Sequence, residues 1–107
     1  MATLYLGTPH NRAMNGARSF EEVMKNENGR AYALSKHEAQ TLKPDDKVVV
    51  VRKDRYRSRA EGRLLKIEPT GRWANHLQRF DVHIEGLTIV EYHPGPDLKR
   101  TGVLLVE

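Results

Sequence analysis

The stretch from Thr41 to Thr70, TLKPDDKVVVVRKDRYRSRAEGRLLKIEPT, decides the architecture. Lys43-Pro44-Asp45-Asp46 is a turn signal: the proline presets φ, and the aspartates offer acceptors to nearby backbone N–H groups. Val48-Val49-Val50-Val51 is β-branched, too short for a helix, and suited to a buried strand. A cationic segment from Arg52 to Arg59 follows. Apolar character returns over Gly62 to Ile67, and Pro69 is expected to end it. The stretch predicts two strands joined by a basic hairpin, with the strands in a core and the tip turned toward a partner.

Outward from this pair, Thr3-Leu4-Tyr5-Leu6 favours a strand that ends at Gly7-Thr8-Pro9, and His10 to Ala17 lacks periodicity and reads as loop. Ser19-Phe20-Glu21-Glu22 and Ser35-Lys36-His37-Glu38 are capping boxes, so two short helices are expected, the second before Pro44. Asn28-Gly29 is expected to stop the first in a left-handed turn, leaving Arg30 to Leu34 as an extended link. Beyond the basic hairpin, Thr70 to Leu77 reads as a polar connection. Phe80, Val82 and Ile84 then alternate with Arg79, Asp81, His83 and Glu85 in a half-buried strand. Gly86 breaks that run, Leu87 to Tyr92 continues it, His93 to Asp97 is loop, and Val103 to Val106 closes as a strand. Phe20, Val23, Val48, Val50, Leu65, Phe80, Val82 and Ile84 are the expected core.

The 107 residues fit one domain, 1–107, which can bury roughly two-thirds of its unfolded surface. There are no cysteines, which fits a reducing compartment and removes thiolate chemistry. No apolar run is long enough for a bilayer and no signal-peptide pattern is present, so a cytoplasmic protein is expected. Of the net charge of +4, residues 1–43 carry +2, residues 44–66 carry +4 and the remainder carries −2. The positive field therefore concentrates on the central hairpin.

The order of strand, two short helices and then several strands predicts an α+β fold with a small, partly closed antiparallel barrel. With its Leu-Lys-Pro-Asp-Asp-Lys-Val turn into a buried strand, this order resembles the PUA-like superfamily. In its EVE and ASCH domains a Gly-Asp turn stands where this chain has Asp45-Asp46. The resemblance implies a pseudobarrel that binds RNA or DNA, in some members around a modified or flipped base, and in some ASCH proteins amidohydrolysis. Asp46 to Val51, Glu61 to Leu65 and Val82 to Gly86 also resemble a KOW motif, with Gly62 at that motif's glycine. The longer loop, with Arg59 where another glycine is expected, makes PUA-like the preferred architecture. Both resemblances imply nucleic acid.

The residues point the same way. In an extended hairpin Lys53, Arg55, Arg57, Arg59 and Arg63 share one face, and Lys66 and Arg72 extend the cationic surface. Tyr56 and Trp73 lie among these cations and can stack on bases. His10, His37, His76, His83 and His93 have no metal-ligand spacing, and no cofactor motif or nucleophile elbow occurs. The reading is a nucleic-acid-binding domain without catalysis. The alternatives are a hydrolase of modified nucleosides, using a lysine, a threonine and a carboxylate, and a module that binds an acidic protein.

Overall fold

The computed structural model describes residues 2–8, 19–52, 59–74, 76–90 and 102–107. Its elements are β1 (Thr3–Thr8), α1 (Phe20–Asn26), β2 (Asn28–Leu34), α2 (Lys36–Thr41), β3 (Lys47–Arg52), β4 (Arg59–Ala74), β5 (Leu77–Val90) and β6 (Val103–Val106). The six strands form one sheet in the order β2-β5-β4-β3-β1-β6. The valine run makes β3 an interior strand, with Val48 to Val51 all buried because both faces are covered. On one side β3 pairs antiparallel with β4. On the other it runs parallel to β1, so the sheet is mixed rather than wholly antiparallel. The turn before β3 forms as its residues specify: Asp46 N donates to Lys43 O at 3.1 Å, and Lys43 N donates to the Asp46 carboxylate at 2.9 Å. Asp45 takes φ 74 at the position where a type II turn requires it.

Both serine caps form. Ser19 Oγ accepts from Glu22 N and Ser35 Oγ from Glu38 N, and each glutamate accepts from its own cap's amide. The stop after α1 differs from expectation. Glu27, at φ 51, is the left-handed residue. Its carbonyl accepts from Ile84 N and its carboxylate from Leu87 N, so β5 holds it in place. Gly29 instead lies buried in β2, where a Cβ would stand 2.7 Å from the Tyr32 ring. Arg30 to Leu34 is thus a sheet strand paired with β5, not a link.

The largest departure is the length of the β4–β5 hairpin. Pro69 does not end β4, and residues 70–74 are strand rather than connection. The β3 ladder covers only Arg59 to Arg63, so a proline farther along removes no donor from it. Register shifts between Leu64 and Lys66 make Leu65 the extra residue of a bulge. That bulge exchanges the expected roles: Leu64 is buried, and Leu65 is 49 % exposed.

Leu4, Leu6, Val48, Val50, Phe80, Val82 and Ile84 line the inner face, closed by Phe20 and Val23 of α1 and by Tyr32 and Leu34 of β2. The sheet curls around them as a half-barrel. Tyr32 O–H donates to Gly7 O at 2.9 Å, which ties β2 at one edge to β1 beside the other. Burial pushes the Tyr32 phenol well above the usual tyrosine range. Among the described residues, no helix is long and apolar enough to cross a membrane.

Candidate nucleic-acid interface

The far end of the β4–β5 hairpin carries, among the described residues, the most exposed large apolar side chain, Trp73, at 65 %. A bulge brings it there. Pairing is regular from Lys66–His83 to Pro69–Phe80 and resumes at Trp73–Gln78, so Thr70, Gly71 and Arg72 stand against Arg79 alone. Gly71 adopts φ 80, and Thr70 Oγ1 donates to Arg79 O at 3.0 Å while accepting from Arg72 N. The turn sends Arg72 and Trp73 into two different clefts.

Trp73 borders a cleft of about 440 Å³ between the hairpin end and α2, floored by Leu34, Ala39, Leu77 and Phe80. Its polar rim is Lys36 and Gln40 from α2 and His76 and Gln78 from the hairpin, with no carboxylate among them. The size suits a small planar ligand, and few convergent polar groups on an apolar floor are the usual character of such sites. Lys36 and Gln40, four apart, project from one helical face.

Arg72 borders the second cleft, of about 530 Å³, with Arg30, Thr70, Glu68 and Asp81. Cations and carboxylates balance here. Asp81 Oδ1 accepts from Ala31 N, and Arg79 Nη1 donates to Ala31 O at 2.6 Å, which fixes Ala31 at φ 61. The Asn28 side-chain amide lies 2.9 Å from His83 Nδ1, and the Glu68 carboxylate lies 3.4 Å from His83 Nε2. Lys66, Glu68 and Thr70 alternate along β4 and supply the residue types of a lysine–threonine–carboxylate hydrolase. The Thr70 hydroxyl proton, however, is already given to Arg79 O.

Comparison with protein-family models, curated proteins and solved structures returned no match.

The other expected contact residues are dispersed. Lys53, Arg55, Tyr56 and Arg57 lie outside the described residues, as do the loops expected at His10–Ala17 and His93–Asp97. Arg59, expected on an exposed row, is only 5 % exposed. Arg63 faces solvent with Glu85 at 3.6 Å, and Lys66 is 3.8 Å from Glu68. Both pairs are too exposed to hold their cations away from a stronger anion. Arg59 opens β4 and Trp73 stands near its end, so these two residues do not share one patch. Lys36, Gln40 and Gln78 are not among the contact residues expected from sequence. The spacing of Lys36 and Gln40 behind a capping box was their only signal.

Proposed function

We propose that this chain is a nucleic-acid-binding domain that seats a single base in the cleft beside Trp73 and holds phosphates with its cations. One observation carries the reading: a tryptophan is left mostly in solvent over an apolar cleft whose rim offers amides and one ammonium group but no carboxylate. A lone tryptophan ordinarily finishes a core. One held out on a strand end has its face free for stacking, while Gln40 and Gln78 can donate to and accept from a base edge. Lys36 is placed for an adjoining phosphate. The half-barrel is read as PUA-like on its element order and the Asp45-Asp46 turn, and that resemblance also implies RNA or DNA. The hydrolase alternative is weaker because Thr70 is committed to the bulge.

Trp73 is the sole tryptophan, so the test needs no label. Short RNA and DNA oligomers titrated at low salt quench its fluorescence if a base stacks there. Binding no tighter than millimolar, or tight binding with unchanged fluorescence, overturns the assignment.

A further inference from the structure

Two bulges flank the same short piece of β5. Between Gly29–Val82 and Tyr32–Phe80, Arg30 and Ala31 of β2 stand against Asp81 alone. On the other side, Thr70, Gly71 and Arg72 of β4 stand against Arg79 alone. Extra residues on both neighbours of one strand raise two walls beside it, and the cleft of about 530 Å³ lies between them with Asp81 in its lining. Both walls contain left-handed backbone, Ala31 at φ 61 and Gly71 at φ 80. Strain of the Ala31 kind persists only where the fold over-determines it, and it gathers at sites that bind.

Each wall gives the cleft one arginine, Arg30 from β2 and Arg72 from β4. Both are exposed, and among the described residues neither guanidinium has a carboxylate partner, although Glu68 and Asp81 line the same cleft. Those carboxylates are already engaged. Asp81 accepts from Ala31 N at 3.1 Å, and Glu68 stands 3.8 Å from Lys66 Nζ and 3.4 Å from His83 Nε2. Two unused guanidinium forks on facing walls suit the oxygens of a phosphoryl group. The carboxylates limit the charge that group can carry. A phosphodiester brings one negative charge for the forks to meet, whereas a terminal phosphate brings nearly two, and Glu68 and Asp81 repel the excess.

Arg72 and Trp73 are consecutive, with Cα atoms about 3.8 Å apart, and a strand turns successive side chains to opposite faces. A base drawn into the Trp73 cleft therefore leaves its backbone beside Arg72. Paired and stacked bases cannot divide in this way, but the splayed bases of a single strand can.

We propose that the Arg30–Arg72 cleft is a phosphodiester subsite. A single-stranded nucleic acid crosses the end of the β4–β5 hairpin, with one base in the Trp73 cleft and a neighbouring internal phosphate between Arg30 and Arg72. This subsite rests on the nucleic-acid reading of the Trp73 cleft, and it fixes the ligand as a single strand held through its backbone.

The test is fluorescence anisotropy of short 3′-labelled RNA and DNA oligomers across a salt series, comparing the wild type with Arg30→Gln combined with Arg72→Gln. Both side chains are exposed and unpaired among the described residues, so the double variant should keep the wild-type melting temperature. Its affinity for single strands falls by about tenfold or more. Its log–log salt slope flattens by roughly 0.7, the value of one shared phosphate, rather than by roughly 1.4 for two separate ones. On a blunt duplex of the same sequence the two proteins bind alike, and a 5′-phosphate adds nothing to the difference between them. Affinity and slope unchanged by the double substitution overturn the subsite. An equal loss on the duplex overturns the single strand as its ligand, and a 5′-phosphate whose gain needs the two arginines overturns the phosphodiester. Trp73 quenching with no arginine effect overturns the subsite and keeps the base cleft, whereas arginine effects without quenching keep the subsite and overturn the base cleft.

Discussion

Asp81 holds the amide of Ala31 across the β2–β5 seam at 3.1 Å, and Ala31 sits there at φ 61, a conformation alanine avoids. The left-handed region costs a non-glycine residue about 1–2 kcal/mol, and it persists only where neighbours over-determine it. Here Asp81 takes the N–H and Arg79 takes the carbonyl. Ala31→Gly relieves the strain but loosens the unfolded chain, so a net gain of about 0.5 kcal/mol is expected. Asp81→Ala leaves the strain without its clamp and is expected to cost about 1–2 kcal/mol. Urea denaturation of both variants checks the pair, and a less stable Ala31→Gly contradicts the strain.

The Leu64–Leu65 bulge predicts opposite outcomes at neighbouring positions. Leu64 is 2 % exposed, so Leu64→Ala is expected to cost about 2–5 kcal/mol. Leu65→Ala is expected to stay within about 0.5 kcal/mol. Gly62→Ala is destabilising as well, because a Cβ there stands 2.9 Å from the Glu85 carbonyl and 2.8 Å from Ile84. Equal losses at Leu64 and Leu65 in chemical denaturation contradict the register.

Tyr32 gives an alkaline signature. Its hydroxyl donates to Gly7 O in the core, and burial raises its pKa above that of an unfolded tyrosine. The folded state therefore keeps a proton that the unfolded state releases above about pH 10. The contribution is complete below that pH and falls by about 1.4 kcal/mol per pH unit above it. Tyr32→Phe should cost about 1–2 kcal/mol at pH 7 and remove that part of the alkaline decline. Unfolding free energies of both proteins between pH 8 and 11 measure the difference.

What the sequence revealed depended on how local each determinant is. The interior valine strand, the Pro44 turn and the caps at Ser19 and Ser35 are each set within about four residues, and they were legible. The place of Leu65 was not, because a single extra residue inverts the alternation beyond it and leaves no mark on composition. Gly29 looked like a helix stop because Asn-Gly favours one. Only the Tyr32 ring packed against it explains why it lies in a strand. At the candidate site, the cations and Trp73 were visible as residue types. The separation of Arg59 from Trp73 along β4 was not, because it follows from a strand that runs through Pro69.

The caps themselves are measurable. Ser19→Ala and Ser35→Ala each remove an acceptor for the third helical amide and are expected to cost about 1 kcal/mol. Because α2 supplies Lys36 and Gln40 to the Trp73 cleft, Ser35→Ala should also weaken oligonucleotide binding, whereas Ser19→Ala should leave it unchanged. Equal effects on binding from both variants would separate α2 from the cleft.

The basic stretch and Trp73 should separate in their dependence on salt. Each phosphate neutralised by a cation releases counterions, giving a log–log slope of roughly −0.7 per contact on single strands and roughly −0.9 on duplex DNA. Arg55→Ala combined with Arg57→Ala should therefore flatten the slope on a single-stranded oligomer by about 1.4 and lower affinity for all sequences alike. Trp73→Ala should leave the slope in place and lower affinity by about 5- to 150-fold, the equivalent of 1–3 kcal/mol of lost stacking, since a stacked base displaces few ions. Fluorescence anisotropy of labelled RNA and DNA oligomers across a salt series reads both quantities. If Trp73→Ala changes the slope as much as the double arginine variant does, the tryptophan acts through the phosphate contacts and no base stacks on it. If neither variant changes affinity, the Trp73 cleft and the basic hairpin both lose their part in binding, and the acidic-protein reading becomes the leading one.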